Sequence, residues 1–260
     1  TIIADLTELR AAIVQTDINN VYLKGVFIDH ARNGDYRIPF TANNAAWVDM
    51  QSYDLKNFAG KWEAHFSTGT PDSSSAIALF NQAGNKINGT FLTTTGDYRF
   101  LNGWVYENNL QLAAFDGAHL FYFTASMQTD GSISGMFYSG SHHQEPWIAN
   151  RNNDFQLPQS DQLTWLKDGY STVDFSFPDS SRNLVSLHDE KFKNKVVLLQ
   201  VSGSWCPNCL DETRYLVPLY NQLHQQGLEI VMLDFERKND SAYVHQTLNH
   251  LYSTLHIPYT

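Results

Sequence analysis

Alternating apolar and polar positions in the middle of the chain predict a series of short β-strands. The runs between residues 61 and 139 are rich in β-branched and aromatic residues, and turn residues separate them. Two separators, Asp116-Gly117 and Asp130-Gly131, favour hairpin turns because such turns need positive φ. Turns about every ten residues are typical of an antiparallel barrel or sandwich in which neighbouring strands pair in order. The predicted strands are 61–67, 76–81, 86–94, 98–106, 109–115, 119–126 and 132–139.

The pattern before this region predicts a small scaffold. Apolar residues at helical spacing predict a short amphipathic helix over residues 6–18. A β-branched and aromatic run predicts a strand at 21–28, and residues 36–40 predict another with Pro39 at an edge or at its end. Asn33-Gly34-Asp35 is a turn signal between them. No catalytic residue types cluster here, so we expect this segment to be scaffold.

From residue 175 onward the pattern predicts short strands followed by helices. Residues 175–179 and 184–187 predict a β-hairpin, and residues 188–193 predict one helical turn. The continuous apolar run at 196–201 is typical of a strand that is buried on both faces of a sheet. Residues 228–235 predict a second buried strand.

A helix is predicted between these two strands, beginning near Cys206 and ending at Gly227. Pro218 lies inside it, and we expect a kink or a break there because proline lacks the N–H that the helix ladder needs. Residues 240–255 predict a second amphipathic helix. The order strand, helix, strand, helix predicts parallel strands joined by right-handed crossovers.

A polar, turn-rich stretch at residues 151–161 separates the two patterns. The sequence therefore predicts an α+β protein with two domains. Residues 1–155 form an antiparallel β meander or barrel, residues 156–173 a linker, and residues 174–260 an α/β domain.

Composition excludes some classes of function. The formal net charge is −10 at pH 7, whereas nucleic-acid binding needs clustered lysine and arginine. No stretch approaches the roughly 18 consecutive apolar residues of a membrane span. The first residues, Thr1 to Asp5, carry no basic segment followed by a long apolar one, so they predict no signal peptide and leave the compartment open.

The candidate chemistry lies at the only two cysteines, Cys206 and Cys209. Two cysteines cannot form a disulfide framework, and the Cys-x-x-Cys spacing favours redox use. A helix N-terminus stabilises a thiolate and lowers the thiol pKa, so we expect Cys206 to attack a substrate disulfide. Cys209 would then resolve the mixed disulfide. Pro207 suits the first helical turn, and Trp205 shields the site or offers a flat contact for substrate.

Several polar and aromatic residues also have alternative interpretations. A zinc site at the cysteines needs two more ligands, for which His224 and His245 are candidates, and two inert buried cysteines are a further alternative. Adjacent strand residues face opposite ways, so His142 and His143, near Glu145, predict a solvated loop rather than a metal site. A small barrel is filled by its own side chains, and the expected core includes Trp62, Tyr98, Trp104, Phe115, Phe121 and Phe123.

Residues 174–260 resemble the thioredoxin fold, and within it the TlpA-type thiol–disulfide oxidoreductases of the bacterial cell envelope. The resemblance rests on Asp174-Phe, Leu184-Val-Ser-Leu187, Lys195-Val-Val-Leu-Leu199, Ser204-Trp-Cys-Pro-Asn-Cys209 and Gly227-Leu-Glu-Ile-Val231. Cys209-Leu-Asp-Glu212 matches the Cys-x-x-Glu of the family, which implies that Glu212 assists proton transfer at the cysteines. The alternative explanation of Glu212 is a first-turn acid that favours the helix dipole.

The β-rich part resembles the N-terminal region of some TlpA-like proteins at Gly60-Lys-Trp62 and Gly96-Asp-Tyr-Arg99, and the first of these motifs also resembles the Gly-x-Trp of lipocalins. Two departures from the thioredoxin pattern stand out. Gln200 occupies the position, six residues before Cys206, where thioredoxins proper carry a buried aspartate. The sequence ends at Thr260, before the cis-proline loop, hairpin and last helix of that fold, so we expect an incomplete module and a fragment of a longer protein.

The residues and the resemblance together predict a thiol–disulfide oxidoreductase that reduces protein or small-molecule disulfides in the bacterial cell envelope, as a periplasmic or lipid-anchored protein. The expected partners are a disulfide-bearing protein or a small-thiol substrate and an upstream dithiol electron donor, with no nucleic acid, metal or cofactor. One alternative is a peroxiredoxin-like peroxidase, although the chain lacks a Pro-x-x-x-Thr-x-x-Cys setting. Another is a ligand- or partner-binding β domain on a passive thioredoxin-like scaffold.

Overall fold

The computed structural model of the protein describes residues 2–4, 7–15, 21–29, 35–43, 54–115, 119–179 and 181–260. The chain divides into two compact units, Thr1–Leu163 and Thr164–Thr260. The described strands of the first unit are β1 (Ile2–Ala4), β2 (Thr7–Gln15), β3 (Val21–Asp29), β4 (Arg37–Asn43), β5 (Gly60–Phe66), β6 (Ser74–Ala83), β7 (Lys86–Thr93), β8 (Gly96–Asp97), β9 (Leu101–Tyr106), β10 (Asn109–Phe115), β11 (Leu120–Met127), β12 (Ile133–Ser139) and β13 (His143–Arg151). The described elements of the second unit include β14 (Ser176–Pro178), β15 (Leu184–Ser186), β16 (Val196–Ser202), α1 (Pro207–Leu223), β17 (Leu228–Asp234) and α2 (Ser241–Leu255).

The first four strands form an antiparallel sheet in chain order. The helix predicted over residues 6–18 is wrong, because β2 pairs with β3 along its whole length, from Thr7 opposite Asp29 to Gln15 opposite Val21. Pairing with a neighbouring strand overrides a local helical pattern, since intrinsic propensity is a weak preference. The strand predicted at 21–28 is confirmed as β3. Pro39 lies in β4, an edge strand of this sheet, as predicted.

Eight strands of the first unit close into a barrel. The sheet order is β6-β5-β13-β12-β11-β10-β9-β7, and a further pairing between β6 and β7 joins its two ends, while β8 extends β7. All of these pairings are antiparallel. The prediction of an antiparallel barrel with neighbouring strands paired is therefore confirmed.

Aromatic side chains fill the barrel. Phe123 stacks on Phe91 and on Phe137 with ring centroids 4.6 and 4.5 Å apart, and Trp62 and Trp147 are fully buried beside them. Trp62 and Phe123 thus confirm the predicted core. Offset stacking of buried rings adds to the hydrophobic gain of their burial.

Two of the residues predicted for the core instead face outward. Leu110 and Leu112 of β10 point into the barrel, so alternation along the strand turns Phe115 to the outside, where it is 41% exposed. Trp104 of β9 flanks the buried Val105 and lies on the outer surface for the same reason. The predictions for Phe115 and Trp104 were wrong because aromatic character does not fix the phase of a strand.

The strand β13 lies where the sequence predicts a loop at His142 and His143 and the start of a polar stretch. It runs between β12 and β5, with Trp147 and Ala149 buried and their neighbours exposed. His143 opens this strand, so the predicted solvated loop is wrong there, although its side chain is exposed. The alternation of apolar and polar residues around positions 147 and 149 is the sequence pattern from which β13 could have been predicted.

Turn signals were partly reliable. Asp130-Gly131 lies in the turn between β11 and β12, and Gly131 has the expected positive φ of 85°. The predicted strand 98–106 is shorter in the structure and begins at Leu101. Asp116-Gly117 and the Asn33-Gly34 part of the first turn signal lie outside the described residues.

The second unit contains the predicted hairpin and a parallel pair of strands. β14 and β15 pair antiparallel, a 3₁₀ turn follows at Glu190–Phe192, and β16 pairs parallel with β17. Inner residues of β16 are partly buried against two separate clusters, Leu198 against one and Val197 and Leu199 against the other, on opposite faces of the strand. The predicted burial on both faces fails towards the ends of the strand, where Val196 and Val201 are 71% and 65% exposed.

The helix α1 continues through Pro218, so the predicted break is wrong. Pro218 and Arg214 are both exposed, and water can hydrogen-bond the Arg214 carbonyl that the missing proline N–H leaves unpaired. The chain leaves α1 through a 3₁₀ turn at His224–Gln226 and reaches Gly227 with a positive φ of 101°. The second helix, α2, is confirmed and is capped by Asp240. Neither described helix combines the length and apolar character needed to cross a membrane.

Candidate functional site

The loop after β16 delivers Cys206 to the first position of a helix. The strand ends at Ser202, three residues follow, and Cys206 is the N-cap of α1 with extended backbone angles. Pro207 is the first residue of the helix, where its missing N–H costs nothing. The Sγ atom of Cys206 accepts a hydrogen bond from the backbone N–H of Cys209 at 3.2 Å. A cysteine sulfur therefore takes the capping role that a serine or aspartate oxygen usually has.

Cys206 and Cys209 are joined by a disulfide. Their Cα atoms are 5.2 Å apart, and both residues are half-buried. One turn of helix brings the two sulfurs together, so the sequence spacing and the fold agree on the same pair. The site as described is in its oxidised form.

Charge near the helix start favours a thiolate at Cys206. The first turn of α1 carries no acidic residue, so the exposed N–H groups and the positive end of the helix dipole are not offset there. The explanation of Glu212 as a first-turn acid is wrong, because Glu212 lies in the second turn. Reduction of the disulfide would leave the negative charge of a Cys206 thiolate next to these N–H groups, which stabilise it.

Gln200 is a buried polar centre behind the cysteines, with 2% of its surface exposed. Its Nε2 lies 3.1 Å from Glu212 Oε2, 3.0 Å from Thr213 Oγ1 and 3.4 Å from the Cys209 carbonyl oxygen. Thr213 Oγ1 also donates to the Cys209 carbonyl at 2.8 Å. The position that differs from thioredoxins proper thus links Glu212 to the peptide group of Cys209.

Tyr259 completes this buried network from the end of the chain. Its hydroxyl donates to Gln200 Oε1 at 3.4 Å, and its ring packs on Tyr220 of α1. Burial raises the pKa of Tyr259 to about 12, so the hydroxyl stays a donor across the physiological range. Thr213 follows Cys209 by four residues and Tyr259 lies near the end of the chain, but neither belongs to a recognisable motif, so sequence reasoning missed both.

Trp205 is fixed by the segment that follows β17. Its indole Nε1 donates to the Phe235 carbonyl at 2.8 Å, and the Arg237 guanidinium lies 4.4 Å from the ring centroid. Arg237 therefore covers one face of the indole. The Trp205 ring therefore has at most its other face open to a substrate, and its predicted shielding role stays a prediction.

Two carboxyl groups lie beneath the same loop. Glu236 Oε1 accepts a hydrogen bond from the Ser204 backbone N–H at 3.0 Å. Both oxygens of Asp234, and Glu236 Oε2, are buried with no hydrogen-bond partner in the described part of the chain. Burial, together with the nearby Glu236 carboxylate, raises the pKa of Asp234 to about 7. Asp234 ends the apolar strand β17 and Glu236 lies two residues beyond it, and the sequence analysis assigned neither to the site.

The histidines considered as metal ligands have other contacts or positions in the structure. His224 follows the last residue of α1, about 27 Å along the helix from Cys206 at 1.5 Å per residue. His245 lies in α2, where its Nε2 is 3.1 Å from Asn249 Nδ2. In the first unit, His142 Nδ1 lies 2.7 Å from the Tyr36 hydroxyl, and His143 Nε2 lies 3.1 Å from Glu145 Oε1. No group of three metal-ligating side chains occurs among the residues that the structure covers.

Comparison with known proteins decides the class of the second unit. Residues 169–260 match the AhpC/TSA family. This stretch contains the parallel strands, both helices and the Cys206–Cys209 disulfide. The C-terminal part of the chain is therefore thioredoxin-like.

Similar proteins carry names from the same chemistry. The chain is 39% identical over 57 residues to the thiol:disulfide interchange protein DsbE of Vibrio cholerae, covering 22% of this chain and 29% of the relative. It is 36% identical over 72 residues to DsbE of Pasteurella multocida, covering 25% and 38%. Identity to the thiol-disulfide oxidoreductase ResA of Bacillus thuringiensis is 35% over 66 residues, covering 25% and 37%. The chain thus spans about a third of the length of the curated relatives that it matches.

Proposed function

We propose that the protein is a thiol–disulfide oxidoreductase that uses Cys206 and Cys209 to reduce disulfides. The observation that carries this proposal is the position of Cys206 Sγ at the N-cap of α1, where it accepts the Cys209 N–H and is bonded to Cys209 Sγ. A sulfur in this position is stabilised as a thiolate when the disulfide opens. Such a thiolate attacks a substrate disulfide at neutral pH and also leaves readily from a mixed disulfide. The similarity to DsbE and ResA proteins supports the same chemistry.

The reaction proceeds in two exchanges. In the reduced protein, the Cys206 thiolate attacks one sulfur of a substrate disulfide, forms a mixed disulfide, and expels the other substrate sulfur as a thiolate that takes up a proton. Cys209 then loses its proton and attacks Cys206 Sγ. The Cys206–Cys209 disulfide forms, the second substrate thiol leaves, and two electrons have passed from the protein to the substrate. An upstream dithiol returns the protein to its reduced form.

We assign Glu212 the role of accepting the Cys209 proton. Gln200 Nε2 lies 3.1 Å from Glu212 Oε2 and 3.4 Å from the Cys209 carbonyl oxygen, which keeps this carboxylate on the Cys209 side of the pair. Cys209 must be deprotonated before it can attack, so a base on this side is what the second exchange needs. Trp205 and Pro207 support the site by shielding the sulfurs and by starting the helix.

The finer assignments follow from the resemblance to TlpA-type proteins. We propose that the protein works in the bacterial cell envelope on a disulfide-bearing protein or a small disulfide. Residues 174–260 would carry the redox chemistry, residues 156–173 would be a linker, and residues 1–155 would be a β domain without redox chemistry of its own. The names of the relatives support the redox part of this assignment and give no information about the barrel.

A peroxidase is the second candidate, and the AhpC/TSA match favours it. There the Cys206 thiolate would attack a peroxide to give a sulfenic acid and hydroxide, and Cys209 would condense with the sulfenic acid, releasing water and forming the same disulfide. Consumption of hydrogen peroxide, measured with the same dithiol donor as disulfide reduction, separates the two reactions. We expect disulfide reduction to be the faster one.

Replacement of the attacking sulfur tests the proposed function. Cys206→Ser should reduce insulin-disulfide reduction by the full protein to the uncatalysed rate, because the serine hydroxyl is not a nucleophile at neutral pH. Reduction is followed with dithiothreitol as the electron donor. Ser253→Ala, which removes one exposed hydroxyl from α2, serves as the control and should keep wild-type activity. Wild-type activity in Cys206→Ser would contradict the proposal.

A further inference from the structure

The segment Phe235-Glu236-Arg237, directly after β17, contacts the loop that carries Cys206 at several points. We propose that Glu236 is a positioning residue for Cys206: its carboxylate, with Phe235 and Arg237, fixes the loop so that the cysteine sulfur stays at the N-cap of α1. This inference rests on the proposed function, since it concerns how the same sulfur is made reactive. It assigns a role to residues about 30 positions downstream of the cysteines, outside the Cys-x-x-Cys motif.

Backbone contacts attach the two segments side by side. The Phe235 N–H donates to the Ser202 carbonyl at 2.8 Å, which continues the parallel pairing one step beyond the end of β17. The Glu236 carboxylate then accepts the Ser204 N–H at 3.0 Å. A charged acceptor makes a stronger hydrogen bond than a neutral one, so the Glu236 contact is the one most able to hold the loop.

The indole of Trp205 is trapped from two directions. Nε1 donates to the Phe235 carbonyl at 2.8 Å, and the Arg237 guanidinium lies 4.4 Å from the ring centroid, a cation–π distance. Gly203 makes this packing possible. A Cβ at that position would lie 2.6 Å from the Trp205 Nε1 atom and 2.9 Å from the Phe235 carbonyl oxygen.

The held loop leads directly into the reactive sulfur. The Cys206 N–H donates to the Gly203 carbonyl at 2.9 Å, so residues 203–206 form one turn whose middle members, Ser204 and Trp205, are the residues that the downstream segment holds. Motion of this turn moves Cys206 relative to the N–H groups of α1. Because those N–H groups stabilise the thiolate, a looser turn raises the pKa of Cys206 and lowers its reactivity at neutral pH.

Glu236→Ala tests this role against Glu236→Gln. Alanine removes the acceptor of the Ser204 N–H, whereas the amide oxygen of glutamine retains it without the charge. In the reduced full protein we expect Glu236→Ala to raise the Cys206 pKa, read from thiolate absorbance, and to slow iodoacetamide alkylation of Cys206 at pH 7 by about fivefold. Glu236→Gln should recover most of the rate. Glu190→Ala, which removes an exposed carboxylate elsewhere in the unit, should leave both quantities unchanged.

A second variant provides an independent test in case Glu236→Ala does not fold. Trp205→Phe keeps the ring over which Arg237 lies but removes the indole N–H, and we expect a smaller shift in the same direction. An unchanged Cys206 pKa and alkylation rate in folded Glu236→Ala, or in Trp205→Phe if that variant alone folds, would overturn the proposal, even if the melting temperature falls. The alkylation measurement needs no substrate disulfide. A protein that fails to reduce insulin would therefore contradict the proposed function and still report on Glu236.

Discussion

Gln200 shows how a single buried residue organises the groups next to the Cys206–Cys209 disulfide. It is buried, and one amide joins the Glu212 carboxylate, the Thr213 hydroxyl, the Cys209 carbonyl and the Tyr259 hydroxyl. A carboxylate in this position would be desolvated and would repel Glu212, whereas an amide can donate to it. The sequence identified Gln200 only as a departure from the thioredoxin pattern. Its role depends on a hydrogen-bond network that closes only in the fold.

Asp234 should make the stability of the protein depend on pH. Burial raises its pKa from 3.8 to about 7, so the folded protein binds a proton that the unfolded chain releases. Stability should therefore fall as pH rises from about 4 to about 7 and level off above that. Asp234→Asn removes this loss. The advantage of the variant in urea unfolding should be small near pH 4 and should grow up to pH 7.

Several other groups face Asp234 and enter this balance. Glu236 and two tyrosines of α2, Tyr243 and Tyr252, interact electrostatically with Asp234. Arg237 acts in turn on Tyr243, and Asp179 acts on Tyr252. Asn249→Asp places a new acid on the exposed part of α2 and is a control for added charge. A stability difference between Asp234→Asn and wild type that stays constant from pH 4 to pH 8 would contradict the shifted pKa.

At the level of elements, the periodicity of apolar residues predicted most strands and helices of the second unit and of the barrel. It failed where pairing with a neighbouring strand determines the secondary structure. The parallel strands, the capped second helix and most barrel strands appear as predicted, because alternation and strong turn residues agree with the tertiary structure. β2 has helical spacing of its apolar residues but pairs with β3. β13 begins among polar residues, and its place between β12 and β5 could be recognised only once the barrel closes.

Pro218, in the C-terminal half of α1, allows a test at the level of elements. Pro218 lies within the helix on its exposed side, where it removes one backbone hydrogen bond. Pro218→Ala should stabilise the protein by about 1–2 kcal/mol, the restored helical contact being partly offset by a more flexible unfolded chain. Thermal unfolding measures the change. Destabilisation by this substitution would indicate that the proline ring makes a packing contact that outweighs the lost hydrogen bond.

At the level of the whole molecule, the two cysteines and the similarity to known proteins both lie in the second unit. Residues 169–260 match the AhpC/TSA family and contain both cysteines, whereas the first unit holds a four-stranded sheet and a barrel whose interior is filled by its own aromatic side chains. The Cys-x-x-Cys spacing and the strand-to-helix pattern were enough to place Cys206 and Cys209 together at the start of a helix, where the structure joins them by a disulfide. The groups that hold it, Gln200 from β16 and Glu236 after β17, could not be assigned because their contacts join separate elements.

The central claim is that Cys206 attacks a disulfide and Cys209 releases the product. Trapping the intermediate tests it most directly. Reduced full-length Cys209→Ser is mixed with a peptide disulfide, and the products are analysed by mass spectrometry under non-reducing conditions. We predict a stable mixed disulfide between Cys206 and the peptide, and none with Cys206→Ser, because the remaining thiol lies one turn inside the helix. A mixed disulfide that forms equally through Cys209 in Cys206→Ser, or no adduct in either variant, would contradict the account.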